Sequence, residues 1–169
     1  MGRGSEEGIR KALRRLTKQG IVVSGRVGSA YSYRLNRDHL AAKYVISLAA
    51  LKDELLEELD KLLAAWSIPP VYAAVFGSFG RADMTAASDI DIVLVSEDAI
   101  DEGVWESQLD ALVQTVTAWT GNEARPLGYT VSELVAAHDE PILADVLRDG
   151  ITVHGQRSWL LRQLRQKAG

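Results

Sequence analysis

Two aspartates one residue apart, Asp89 and Asp91, head an apolar run in the stretch FGSFGRADMTAASDIDIVLV, residues 76–95. In a β-strand, residues two apart share a face, so the two carboxylates stand side by side while Ile90 and Ile92 turn toward apolar surroundings. Like charges that close are costly until a cation joins them. A divalent ion such as Mg2+ suits a few carboxylates completed by water and phosphate oxygens. Upstream, Gly77 lets the backbone approach a ligand closely, and Ser78 offers an amide and a hydroxyl to a phosphate at the start of a helix. Arg81, one turn later, brings a cation to the same phosphates. Each piece is common alone, and a solvated strand end would explain any one of them. Their order is more specific: strand, Gly-Ser, about ten residues, Asp-x-Asp, strand.

The elements that must hold these groups are legible around them. Val71 to Phe76 is a short β-rich run after Pro69-Pro70, and Ile90 to Val95 is a second strand, with a short helix or loop over 79–87 between them. Residues 104–120 carry a helical pattern through Trp105, Leu109, Leu112, Val116 and Trp119, closed by Gly121-Asn122. Glu123 to Thr130 is predicted as a third strand, placed at an edge or bulge by Pro126. Short helices over 132–138 and 141–148 and a last strand, ITVH, complete the pattern. Ahead of this body, Leu48, Leu51, Leu55, Leu59 and Leu62 define a long amphipathic helix from His39 to Trp66. Ser5 with Glu6 and Glu7 opens an earlier basic helix that ends near Gly20. Ile21 to Val23 and Ala30 to Leu35 then form a hairpin around SGRVGS.

Charge divides the chain along the same lines. Residues 1–40 carry nine Lys/Arg against three acids, residues 41–156 carry six against twenty, and the segment from Arg157 is basic without an acid. The cationic module is the part suited to a polyanion, unless its charges are simply a solvated helix face. Cysteine is absent, which excludes disulfides and thiol chemistry. The 169 residues hold no apolar run long enough to cross a bilayer and no signal-like segment, so a cytoplasmic protein without membrane contact is expected. His39, His138 and His154 lie far apart without metal-ligand spacing, and are expected as surface or satisfied side chains.

The stretch GSFGRADMTAASDIDIVLV resembles the signature of the nucleotidyltransferases of the DNA polymerase β superfamily, in particular the minimal, kanamycin nucleotidyltransferase-like type. Gly77, Ser78, Arg81, Ser88, Asp89, Ile90 and Asp91 stand at the matching places, and the resemblance covers residues 67–156. It implies an α/β (α+β) fold, a small mixed sheet flanked by helices. It also implies Mg2+ on Asp89 and Asp91, and a nucleoside triphosphate, ATP first, held by Gly77, Ser78, Arg81 and Ser88. The implied reaction transfers a nucleoside monophosphate to an acceptor hydroxyl and releases pyrophosphate. The family adds a third carboxylate from the neighbouring strand. Here that strand, NEARPLGYT, has a single acid, Glu123 at its start, which is the candidate third catalytic carboxylate. A second departure is Ala82 where many members have glycine.

Residues 5–40 resemble, more loosely, the second half of a winged helix-turn-helix, a recognition helix and its wing. The resemblance implies DNA contacts from Arg10, Lys11, Arg14, Arg15 and Arg26. The expected organisation is a partial winged-helix module at 1–40, a linking helix at 41–66, a nucleotidyltransferase domain at 67–156 and a basic tail at 157–169. Alongside the enzyme stands a second expectation: a DNA-binding regulator whose transferase fold senses nucleotide or is inactive. A homodimer or a partner protein could complete an acceptor site in a domain this short.

Overall fold

In the computed structural model, which describes residues 5–81 and 88–165, the first helix begins where the sequence places it. The Ser5 hydroxyl caps α1 (Glu6–Lys18) by accepting from the Gly8 amide at 3.1 Å, with Glu6 and Glu7 in the first turn and Arg15 and Lys18 in the last. Strands β1 (Val22–Val27) and β2 (Ala30–Leu35) pair antiparallel from Val22↔Leu35 to Val27↔Ala30. The turn is therefore only Gly28-Ser29, tighter than the SGRVGS loop expected from sequence, because Gly25 and Arg26 pair with Ser32 and Tyr31. Asn36 closes the hairpin base by donating to the Gly20 carbonyl at 2.9 Å. Nothing in α1 is fully buried, and Ile9 is 51% exposed.

The chain divides into two compact units after Leu55, inside α2 (Ala42–Ala64). The second unit is built on a four-stranded sheet in the order β5-β4-β3-β6. Its strands are β3 (Tyr72–Phe76), β4 (Ile90–Ser96), β5 (Ala124–Thr130) and β6 (Ile151–His154). β3 runs antiparallel to both β4 and β6, whereas β4 and β5 are parallel, so the sheet is mixed as expected. β5 is an edge strand, which accommodates Pro126 opposite Ile92. The connecting helices are α3 (Gly77–Gly80), α4 (Glu102–Thr120), α5 (Val131–Ala136), α6 (Pro141–Asp149) and α7 (Arg157–Arg165).

Every residue of β3 is buried, and so is β4 except Asp91. Tyr72, Ala74, Phe76, Val93 and Val95 form one face of the core with Leu134 of α5, Leu143 and Val146 of α6 and Leu160 of α7. Alternation sends Ala73, Val75, Ile92 and Leu94 to the other face, which leaves buried Leu59, Leu63, Trp105, Leu112 and Val116 of α2 and α4 to cover it. The segment from Arg157, expected as a basic tail, is thus a helix with one side in the core. Trp159 stacks on Tyr72 with ring centroids 6.1 Å apart, and Arg157 donates to the carbonyls of Gly150 and Leu147. The leucine stripe of α2 is shared unequally, with Leu59 fully buried and Leu48 exposed. Among the described residues no helix is long and apolar enough to cross a membrane.

Candidate nucleotide and metal site

The site residues gather at the end of the sheet where β3 leaves and β4 enters. Phe76, the last residue of β3, pairs with Asp91 in register, which puts the Gly77-Ser78 turn beside the Asp-x-Asp. Gly77 has φ 68°, and a Cβ there would come within 2.5 Å of Asp91 Oδ2. Both the backbone conformation and the closeness of the carboxylate require glycine. Ile90 and Ile92 are fully buried while Asp89 and Asp91 are half-buried, as the alternation predicts. Burial first, and the neighbouring Asp89 second, push the Asp91 carboxyl above its usual range, against a smaller opposing pull from Arg125 and Arg81.

Three residues that sequence reasoning left unassigned hold this arrangement. Asn122, beyond the left-handed cap Gly121 (φ 74°), donates its side-chain amide to the Ser88 carbonyl at 2.7 Å and so pins the entry to β4. Asp149, at the end of α6, lies 3.5 Å from Arg81 Nη1 and is held below the usual carboxylate range, first by hydrogen bonds from Arg148 and then by Arg81. A Cβ on Gly80 would collide with the Asp149 carbonyl oxygen, so α3 and α6 meet only through a glycine. Arg125 is the third. It stands opposite Asp91 in the parallel β4–β5 register, and its Nη1 lies 2.7 Å from Asp89 Oδ2. Asn122 was legible only as a helix stop, and Arg125 and Asp149 carried no local signal.

Arg81 caps α3 as its C-terminal residue and reaches Asp149 while remaining 45% exposed. Glu123 lies just before β5 with its side chain 65% exposed, and its Oε2 is 3.5 Å from Arg125 Nη2. One guanidinium thus links Glu123 to Asp89. Ala82 and the loop over 82–87 fall outside the described residues. Among the described residues, no group of three or more acidic or histidine side chains is arranged to hold a metal. The histidines are apart: His154 Nδ1 meets Asp60 at 2.6 Å, His138 Nε2 meets Asp139 at 3.2 Å, and His39 Nδ1 accepts from the Ala41 amide.

In the N-terminal unit, Arg10, Arg14, Thr17 and Lys18 of α1 and Ser24, Ser29, Ala30, Tyr31 and Tyr33 of the hairpin line an open groove of about 810 Å3. Arg10 also pairs with Glu6 at 2.6 Å. Lys11 and Arg15 are not among the lining residues. Arg26 points along the turn, donating to the Gly28 carbonyl at 3.2 Å.

Residues 52–135 match the family model described as the nucleotidyltransferase domain. No curated protein matches the chain. Solved structures similar to it include a toxin–antitoxin complex with AMP-PNP, at 18% identity over 64% of this chain and 80% of that one, TM-score 0.48. Another is a tri-AMPylated Shewanella oneidensis HEPN toxin in complex with MNT antitoxin, at 18% identity over 68% and 82%, TM-score 0.43. The family match spans β3, the Gly-Ser turn, both aspartates and β5. The mixed sheet that carries them is consistent with a nucleotidyltransferase fold over residues 52–135.

Proposed function

We propose that this chain transfers a nucleoside monophosphate from a nucleoside triphosphate, ATP first, to an acceptor hydroxyl, with release of pyrophosphate. The observation that carries this reading is the pairing of Phe76 with Asp91, which sets two adjacent carboxylates beside the Gly77-Ser78 turn. The donor set fits Mg2+, which takes one or two carboxylates and fills its remaining positions with water and substrate phosphates. Asp89 and Asp91 would hold it. When bound, the ion supplies polarisation of the α-phosphate and stabilises the charge leaving on pyrophosphate. Gly77 brings its backbone against the phosphates, and Ser78 offers an amide and a hydroxyl to them. Ser88 precedes the pair on the same strand entry. Arg81 adds a positive charge that Asp149 orients. Glu123 enters only through Arg125, whose guanidinium it shares with Asp89.

The test is incubation of the full chain with α-labelled ATP, Mg2+ and cell extract as the source of acceptor. Asp89→Asn and Asp91→Asn should each lower label transfer by about 100-fold or more, the scale expected when a group acting only in the transition state is lost. Transfer that is unchanged in both variants would falsify the reading.

A second reading is favoured by two observations: a guanidinium already seated on Asp89, and the basic, tyrosine-flanked groove of the N-terminal unit. In it the chain is a DNA-binding regulator whose transferase fold senses nucleotide, and the helix–hairpin is a shortened winged helix. Arg10, Arg14 and Lys11 would meet phosphates or the major groove, with Arg15 beside them and Arg26 on the wing. Neutralising Arg10, Arg14 and Arg15 together should then reduce the slope of log affinity against log salt by about three. No DNA binding at low salt removes this reading. Nucleotide binding by calorimetry, with no transfer, favours it over the enzyme.

A further inference from the structure

Arg125 occupies a position from which it must compete with any cation for the aspartate pair. Its backbone is fixed opposite Asp91 by the β4–β5 register, and its guanidinium reaches past that residue to Asp89 Oδ2 at 2.7 Å. The other branch leans on Glu123 at 3.5 Å. A carboxylate oxygen that is accepting from a guanidinium at this distance cannot also take a divalent ion along the same direction without the guanidinium moving. The side chain is able to move, because it is 58% exposed on an edge strand and nothing packs it in the core. By contrast, Asp91 stands within the buried strand β4, with its Oδ2 where a Cβ on Gly77 would come within 2.5 Å of it. The site's other arginine, Arg81, also lies 3.5 Å from an internal carboxylate, Asp149, so both guanidinium groups of the rim have an internal anion before any ligand arrives.

We propose that Arg125 is a built-in counter-cation that sets the metal affinity of Asp89 and Asp91: it keeps bare divalent ions out and yields when phosphate oxygens offer it another partner. This rests on the reading of Asp89 and Asp91 as the metal-holding pair. The physical reason for the selectivity is linkage. A free metal ion must expel Arg125 into water, whereas a metal bound to a triphosphate brings negative charge that the displaced guanidinium can meet. The metal and the nucleotide then bind with positive coupling, and that coupling resides in one side chain.

The experiment measures Mn2+ alone binding to the full chain, by the loss of free-ion signal in electron paramagnetic resonance. Arg125→Gln should bind Mn2+ about five- to tenfold more tightly than wild type, since an exposed ion pair and one nearby positive charge are removed together. Arg125→Lys keeps the charge and should stay within about twofold of wild type. Equal Mn2+ affinity in wild type and Arg125→Gln overturns the inference while leaving the metal pair intact. Equal tightening in the Lys and Gln variants also overturns it, because charge would not be the cause. Undiminished Mn2+ binding in Asp89→Asn with Asp91→Asn, or none in any protein including Arg125→Gln, overturns the metal reading itself. Tryptophan fluorescence on urea unfolding confirms that each variant is folded.

Discussion

The two units of this chain solve the burial problem to different degrees. In the C-terminal unit five consecutive residues of β3 are buried, and helices from both sides close over the sheet. In the N-terminal unit no residue of α1 is buried, and the hairpin leaves Val27 and Tyr31 about two-thirds exposed. A helix and a two-stranded hairpin offer too little apolar surface to exclude water, whereas a layered sheet shields both its faces. The contrast extends to chemistry. Asp89 and Asp91 sit at a strand end where register fixes them, and Arg10 and Arg14 sit on a solvated helix face. A site that must place two carboxylates within a few tenths of an ångström needs the first kind of support. A surface that only attracts phosphates works with the second.

Truncation in the two units gives the largest way to break this comparison. Leu94→Ala, at a position with no solvent exposure, should cost the C-terminal unit about 3 kcal/mol. All four tryptophans lie in that unit, so urea unfolding followed by their fluorescence reports on it alone. Gly77→Ala should cost about 2 kcal/mol in the same assay, because it forces a side chain onto φ 68° and onto Asp91. It should also abolish nucleotide binding. Leu13→Ala on the half-buried face of α1 should cost less than about 1 kcal/mol, read as faster amide exchange in residues 5–35. A Leu13 effect as large as that of Leu94 would erase the difference between the units.

Smaller effects come from titration at the rim of the C-terminal unit. Burial first, and then its hydrogen bond to Glu140, push the Tyr129 phenol up to about 12 from its ordinary 10. The folded state therefore keeps a proton that the unfolded chain loses first. That contribution is complete below pH 10 and is lost as pH rises toward about 12. Tyr129→Phe should flatten this alkaline loss in urea midpoints. Asp98 has the opposite sign: the Ser132 amide and hydroxyl hold its carboxyl below the usual range. Its contribution is present above the ordinary carboxylate range and is lost as pH falls through the depressed value. Asp98→Ala should remove that acid-side dependence.

How much of the site could be read in advance follows from the range of the forces involved. Period-two alternation is local, so the common face of Asp89 and Asp91 and the burial of Ile90 and Ile92 were legible in seven consecutive residues. A glycine at φ 68° beside Asp91 was legible as a Gly-Ser turn, though not the reason for it, which is a carboxylate on another strand. Pro126 announced an edge strand because proline removes a ladder donor. The extent of the hairpin turn was misjudged because Gly25 in SGRVGS reads as a turn residue, yet two residues suffice once the strands pair. The helix from Arg157 was read as a tail because its charges are all basic with no acid among them, and only the stacking of Trp159 on Tyr72 shows which side is buried.

By itself the sequence determined the chemistry on offer: paired acids, a glycine turn, a cationic N-terminal module, no thiol. These depend on residue type and on spacing within one or two elements, where steric preference and periodicity act directly. Tertiary structure alone decided the company those groups keep. Arg125 reaches Asp89 from 36 positions away because a parallel register aligns their strands, and Asp149 meets Arg81 because α6 ends against α3. Such contacts follow from how whole elements pack, so no window of the sequence contains them.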